Sequence, residues 1–239
     1  MSMDVDGTTG KRGYDARSRR QRAEQERGET LDRVLAAARS RFLAEGYAGT
    51  KMLDIAADAG VALASVYRAG RSKAELIEMI LERAGPEDDP DNSTGQPLTF
   101  TARPSPSYPE IAAERDPQHQ VRMIAVRIAD SLDPIGPLWT VLRDAAGVDA
   151  RAGATMHATV ERRAAAFEAA VDLLPAQRLR ASPSESVDTL WALSSPEMYL
   201  MLRTARGWSH RRYRDWLIRT LQVQLLAPPS DPPNGSRRN

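Results

Sequence analysis

The residues best suited to chemistry lie between Thr50 and Lys73, and the chemistry they suit is recognition of duplex nucleic acid. Leu63, Ala64 and Ser65 fall on the outer side of a short predicted helix. A serine hydroxyl can donate to or accept from several bases, and leucine and alanine methyls can pack on a thymine methyl. The plainer reading of Leu63 places it inside the domain. Thr50 and Lys51 stand at the start of another predicted helix, with Thr50 as its N-cap. There a hydroxyl, a free backbone N–H and an ammonium can meet a phosphate. Lys73 sits in the first turn of a later helix, where its charge opposes the helix dipole. A phosphate nearby would make that position easier to understand. Bond-making chemistry has no comparable set: His119, His157 and His210 lack metal-ligand spacing, no nucleophile is matched with a base, and there is no cysteine. The expectation is a protein that is not an enzyme and that needs no cofactor or metal.

A helix-turn-helix must position these side chains. Ala56 is small where two helices cross, and Gly60 can supply the positive φ of a sharp turn. Val61 and Val66 are expected to be buried on the inner face of the second helix, which lies in a DNA major groove in such units. The bland alternative is a helical hairpin with a glycine in its loop. Upstream, Leu31, Val34, Leu35, Ala38 and Phe42 share one face of a helix expected to open at Thr30 and stop at Gly46. Downstream, Ser72-Lys73-Ala74-Glu75 has the form of a capping box, with Leu76, Ile77, Ile80 and Leu81 inward. These elements predict a compact unit over 29–84.

The remainder of the 239 residues is also helical or unstructured in pattern. Residues 1–28 read as a flexible basic arm carrying Lys11, Arg12, Arg17, Arg19, Arg20 and Arg22, with Arg19 and Arg20 as DNA contacts. Proline recurs through 85–115, a predicted linker that also holds the acidic Glu87, Asp88, Asp89 and Asp91. The formal net charge is only +1, so it is this separation of charge that places positive potential beside the helix-turn-helix. Residues 116–226 predict a second helical domain. Its segments start at Asp116-Pro117 and Ile135, near Ala152, at Ser182-Pro183-Ser184-Glu185, at Ser195-Pro196-Glu197 and at Ser209. Residues 227–239 read as a disordered tail. No strand alternation of useful length appears, so the expected fold class is all-α, a small amino-terminal domain followed by a larger helical one. The mean hydropathy of −0.48 and the polar start of the chain predict a soluble, cytoplasmic protein without a membrane partner.

Taken together, Phe42-Leu43-Ala44-Glu45-Gly46-Tyr47, Ile55-Ala56, Ala59-Gly60-Val61, Val66-Tyr67-Arg68 and Ser72-Lys73 resemble the TetR family of transcriptional regulators. Trp191 to Tyr199 and Arg206 to Leu217 resemble one branch of it. The resemblance implies an amino-terminal DNA-binding domain and a helical domain that dimerises and often holds a ligand. It makes Tyr67 the tyrosine whose hydroxyl reaches a phosphate. Two departures stand out: Ala62 occupies a position where many members carry a capping serine or threonine, and Ala69-Gly70 replaces aromatic residues. Arg68 and Arg71 can supply charge there instead.

In the second domain Met123, Trp139, Met156, Phe167 and Trp191 are candidates to line a ligand pocket, although such side chains more often form plain core. Arg127 and Arg143 can meet an acidic ligand, or more simply form surface ion pairs. Tyr199, Leu202, Tyr213, Trp216, Leu217, Leu221 and Leu225 present more apolar surface than one small bundle comfortably buries, which predicts a homodimer interface. The expected function is a repressor that binds a near-palindromic DNA operator as a homodimer and is released by a small-molecule effector. The rivals are a helical-bundle enzyme or carrier, and an architectural DNA-binding protein with little sequence preference.

Overall fold

The computed structural model describes residues 9–83 and 109–228, with side chains from Arg20 onward. The acidic cluster, most of the predicted linker and nearly all of the predicted tail lie outside the described residues, as does the side chain of Arg19. The described chain is all-α and divides into two compact units between Ile77 and Glu78.

In the first unit, α1 spans Thr9–Gly49 and is interrupted at Gly46, whose φ of 69° ends the regular helix where the stop was expected. The arm expected to be flexible is helical from Thr9. Its physical reason is legible afterwards: from Ala16 to Arg27 nearly every residue is Arg, Gln, Glu or Ala, all strong helix formers. Thr30 therefore opens nothing; it lies in mid-helix and its hydroxyl donates to the Glu26 carbonyl at 2.7 Å. The inner stripe of α1 is buried at Val34, Leu35, Ala38 and Phe42, and Phe42 stacks on buried Tyr47. Two short helices follow, α2 (Met52–Ala59) and α3 (Leu63–Ala69), then α4 (Lys73–Arg83). Ser72 accepts the Glu75 N–H, but the Glu75 carboxylate reaches back to the Arg71 N–H instead of closing the box on Ser72.

In the second unit, α5 (Pro109–Ala113) places a helical turn inside the predicted linker. It is followed by α6 (Pro117–Ala146), α7 (Ala150–Asp172), α8 (Pro183–Leu193), α9 (Pro196–Leu200), a π-helical turn over Met201–Ala205, and α10 (His210–Leu225). The predicted caps at Asp116, Ser182, Ser195 and Ser209 each accept a backbone N–H, and Ser182–Glu185 forms a complete capping box. Ile135 does not open a separate helix, because α6 runs on through Pro134 and Pro137. Each proline removes an i→i−4 hydrogen bond, but the apolar stripe is unbroken, with Ile128, Leu132, Ile135, Leu138 and Leu142 all buried. Burial of that stripe outweighs the lost bonds. The carboxy-terminal end is fixed further than expected: Leu226 pairs with Leu179 in an isolated antiparallel bridge, and the Ala227 N–H donates to the Arg178 carbonyl.

Candidate nucleic-acid interface

The turn between α2 and α3 has the geometry that Gly60 allows. Gly60 sits at φ 63°, ψ 39°, in the left-handed region. Its N–H donates to the Ala57 carbonyl and the Val61 N–H to that of Ala56, so two of the four orphan carbonyls of α2 are satisfied by the turn, and Arg33 donates to a third, that of Ala59. Ala56 and Ala59 are buried, as close helix contact requires, and Val66 is fully buried. Val61 departs from expectation and is only half-buried, because it belongs to the turn and not to α3. Ala62 stands at the N-cap of α3 in extended conformation with no side-chain cap bond.

With Val66 turned in, helical geometry turns the opposite side of α3 out. Leu63 is 37% exposed and Tyr67 49%, and Ala64 and Arg68 are exposed as well. Leu63 is thus not a core residue. Ser65 is half-buried and borders a cleft against α1, to the side of that outer face.

Two residues expected at phosphates are committed within the chain. Thr50 is buried, and its hydroxyl donates to the Gly46 carbonyl at 2.8 Å. The cap position of α2 belongs instead to Lys51, which is exposed and makes no side-chain cap bond. Lys73 donates to the Tyr47 carbonyl at 2.5 Å and stands 4.3 Å from the centre of the Tyr47 ring. The carbonyl just past the break in α1, together with the ring face, offsets the unfavourable dipole of α4. Gly70 has a steric reason to lack a side chain: a Cβ there would meet Leu76 Cδ2 at 2.6 Å. Nothing in the sequence announced the clamp that fixes α2 on α1. Arg41 binds Asp58 through two bonds of 2.5 and 2.8 Å, and also reaches Glu45. These bonds hold the Asp58 carboxyl below its ordinary range.

In the second unit the predicted ligand and dimer residues are largely core. Phe167 is fully buried, and Trp139 is buried with its indole N–H donating to Glu197 at 2.5 Å. Met123 packs half-buried on the core, and Met156 is half-buried on α7. Arg127 pairs with Glu110, and exposed Arg143 lies near Glu197 and Asp144, the surface ion-pair reading. Trp191 lines a groove of about 500 Å³ between α7 and α8, together with Val171, Val187, Glu168, Asp172 and Asp188. Arg163, which the sequence did not single out, is buried between the rings of Phe167 and Trp191 and donates to the Trp191 carbonyl. Desolvation brings its pKa down to about 10.

The dimer expectation needs correction at residue level. Tyr199, Tyr213, Leu217, Leu221 and Leu225 are buried in the chain's own core, since α10 packs chiefly on α6; Leu202 and Trp216 are half-buried. A polar network missed by sequence reasoning crosses the same helices. Tyr199 donates to Asp133, His210 bonds Asp130 at 2.9 Å, and Arg203 and Arg214 flank the two carboxylates at 3.6 Å. Burial and the Asp133 carboxylate raise the Tyr199 hydroxyl above its ordinary pKa.

A helix-turn-helix with an exposed second helix, joined to a helical unit, defines a DNA-binding transcriptional regulator. Residues 34–80, which hold the helix-turn-helix and the helices flanking it, match the model of the bacterial regulatory proteins of the tetR family. Solved structures share its fold. A Mesorhizobium loti MAFF303099 protein assigned to the TetR-family transcriptional regulators aligns at TM-score 0.60 and 18% identity, over 84% of this chain and 98% of its own. Native NalD of Pseudomonas aeruginosa, the secondary repressor of the MexAB-OprM multidrug efflux pump, aligns at 0.56 and 20%, over 84% and 98%. A Saccharomonospora viridis protein assigned as a transcriptional regulator, solved in complex with choline, aligns at 0.59 and 15%, over 84% and 100%. No curated protein matches the chain in sequence.

Proposed function

We propose that the chain is a repressor that binds a near-palindromic operator as a homodimer and is released by a small-molecule effector. The observation that carries this reading is the outward face of α3, where Leu63, Ala64, Tyr67 and Arg68 are exposed while Val66 anchors the helix from below. Leu63 and Ala64 meet base edges, with Ser65 at their side; Tyr67, Arg68 and Lys51 meet phosphates. Lys73 and Thr50 act indirectly, holding the starts of α4 and α2.

A seven-residue helix reads too few bases to be selective, so two copies act on two half-sites roughly 34–36 Å apart or at a related spacing. With most of the predicted interface buried, the dimer uses the outer stripe of α10, where half-buried Trp216 and exposed Val223 lie two turns apart. The effector occupies the α7–α8 groove. Its apolar floor, Trp191 and carboxylate rim suit a cationic organic molecule. Repression by NalD and the choline complex of the Saccharomonospora viridis protein support the reading by analogy of fold.

Selection of bound duplexes from a random library, with mass measurement of the complexes, tests it. The expected outcome is an inverted repeat bound by an even number of 26.3 kDa chains. A single unrepeated motif bound by one chain, or equal competition by unrelated DNA, would contradict it.

A further inference from the structure

One stripe of α1, running from Ala23 through Arg27 to Leu31, faces Ser65 and Arg68 of α3 across a cleft of about 440 Å³. Arg68 belongs both to the cleft and to the exposed face of α3, so the cleft opens beside that face. It presents two guanidinium groups and the Ser65 hydroxyl against one carboxylate, Glu26. Thr30 offers no donor, because its hydroxyl is spent on the Glu26 carbonyl. Among the described residues, no carboxylate engages Arg27 or Arg68. Arg20, also exposed, lies seven residues before Arg27, which returns it to the same side of α1 about 10.5 Å further along. That equals the axial rise of about three base pairs of duplex DNA at 3.4 Å each. Both arginines precede residue 34, where the family match begins.

We propose that this amino-terminal extension of α1 is a second DNA-contacting element: Arg20 and Arg27 grip the phosphates of the strand that borders the groove entered by α3, and Arg68 closes the grip from the other side. The inference rests on the reading of α3 given above. A guanidinium matches phosphate oxygens with two parallel N–H bonds, and one carried on a preformed helix loses less freedom than one on a coil. Such contacts position the protein and add affinity, but they carry no sequence information.

The test uses the full chain with two duplexes, one recovered by selection with the wild-type protein and one of scrambled sequence, titrated across a salt series. Arg20→Gln and Arg27→Gln are each expected to reduce the slope of log affinity against log salt by about 1, and the double variant by about 2, because each phosphate contact releases roughly one counterion. The ratio of affinities for the two duplexes should stay at its wild-type value, and so should the melting temperature. Unchanged slopes in both single variants, alongside a reduced slope in Arg68→Gln, would overturn the second element and leave the α3 reading intact. A collapse of the duplex ratio in Arg27→Gln would also overturn it, since the contact would then read bases. Wild-type behaviour in Arg68→Gln as well would bring down both.

Discussion

Ala62 leaves the recognition helix uncapped, although its backbone already has the extended geometry of an N-cap residue. A hydroxyl at this position would reach an orphan N–H of the first turn at almost no conformational cost. Ala62→Ser is therefore expected to stabilise the amino-terminal unit by about 0.5–2 kcal/mol, read as a higher denaturant midpoint. An unchanged or lower midpoint would show that the α3 terminus is satisfied in another way. The missing cap and the Gly60 turn were legible in the sequence because each depends on neighbours a few residues away. Thr50 and Lys73 were not. The break at Gly46 returns Thr50 onto the end of α1, and Lys73 finds its partner at Tyr47, 26 residues back in the chain. Local pattern shows a cation at the wrong end of a helix; it does not show the carbonyl that compensates it.

Among the elements, helix positions were easier to read than partners. The serine and aspartate caps of α6, α8, α9 and α10 stand where the sequence places them. At α6 the local signal fails: Pro134 and Pro137 are breakers in the sequence, and the long buried stripe overrides them. The apolar face of α10 was clear, but periodicity gives a face without naming what covers it. Here the cover is the chain's own core, chiefly α6, and Leu217 is fully buried in it. Leu217→Ala should consequently cost about 2–5 kcal/mol of stability through the lost contacts and the cavity left behind, measurable by chemical unfolding. A loss below about 1 kcal/mol would place Leu217 at a surface that folding of the single chain does not need.

At the scale of the molecule, the division of labour follows from where charge and apolar surface fall. A run of basic residues from Lys11 to Arg27 occupies the extension of α1, with Arg68 in α3 and Arg71 just after it, while the larger apolar core and the α7–α8 groove belong to the second unit. The described helices include none long and apolar enough to cross a membrane. What joins these features into one function is the claim that the exposed face of α3 enters a DNA groove. Amide hydrogen exchange of the full chain, with and without a duplex recovered by selection, measures that claim at the backbone itself. Slowed exchange over Leu63–Arg68 and the start of α2 is expected when DNA is bound. Protection confined to other helices, with α3 exchanging as fast as in the free protein, would contradict it.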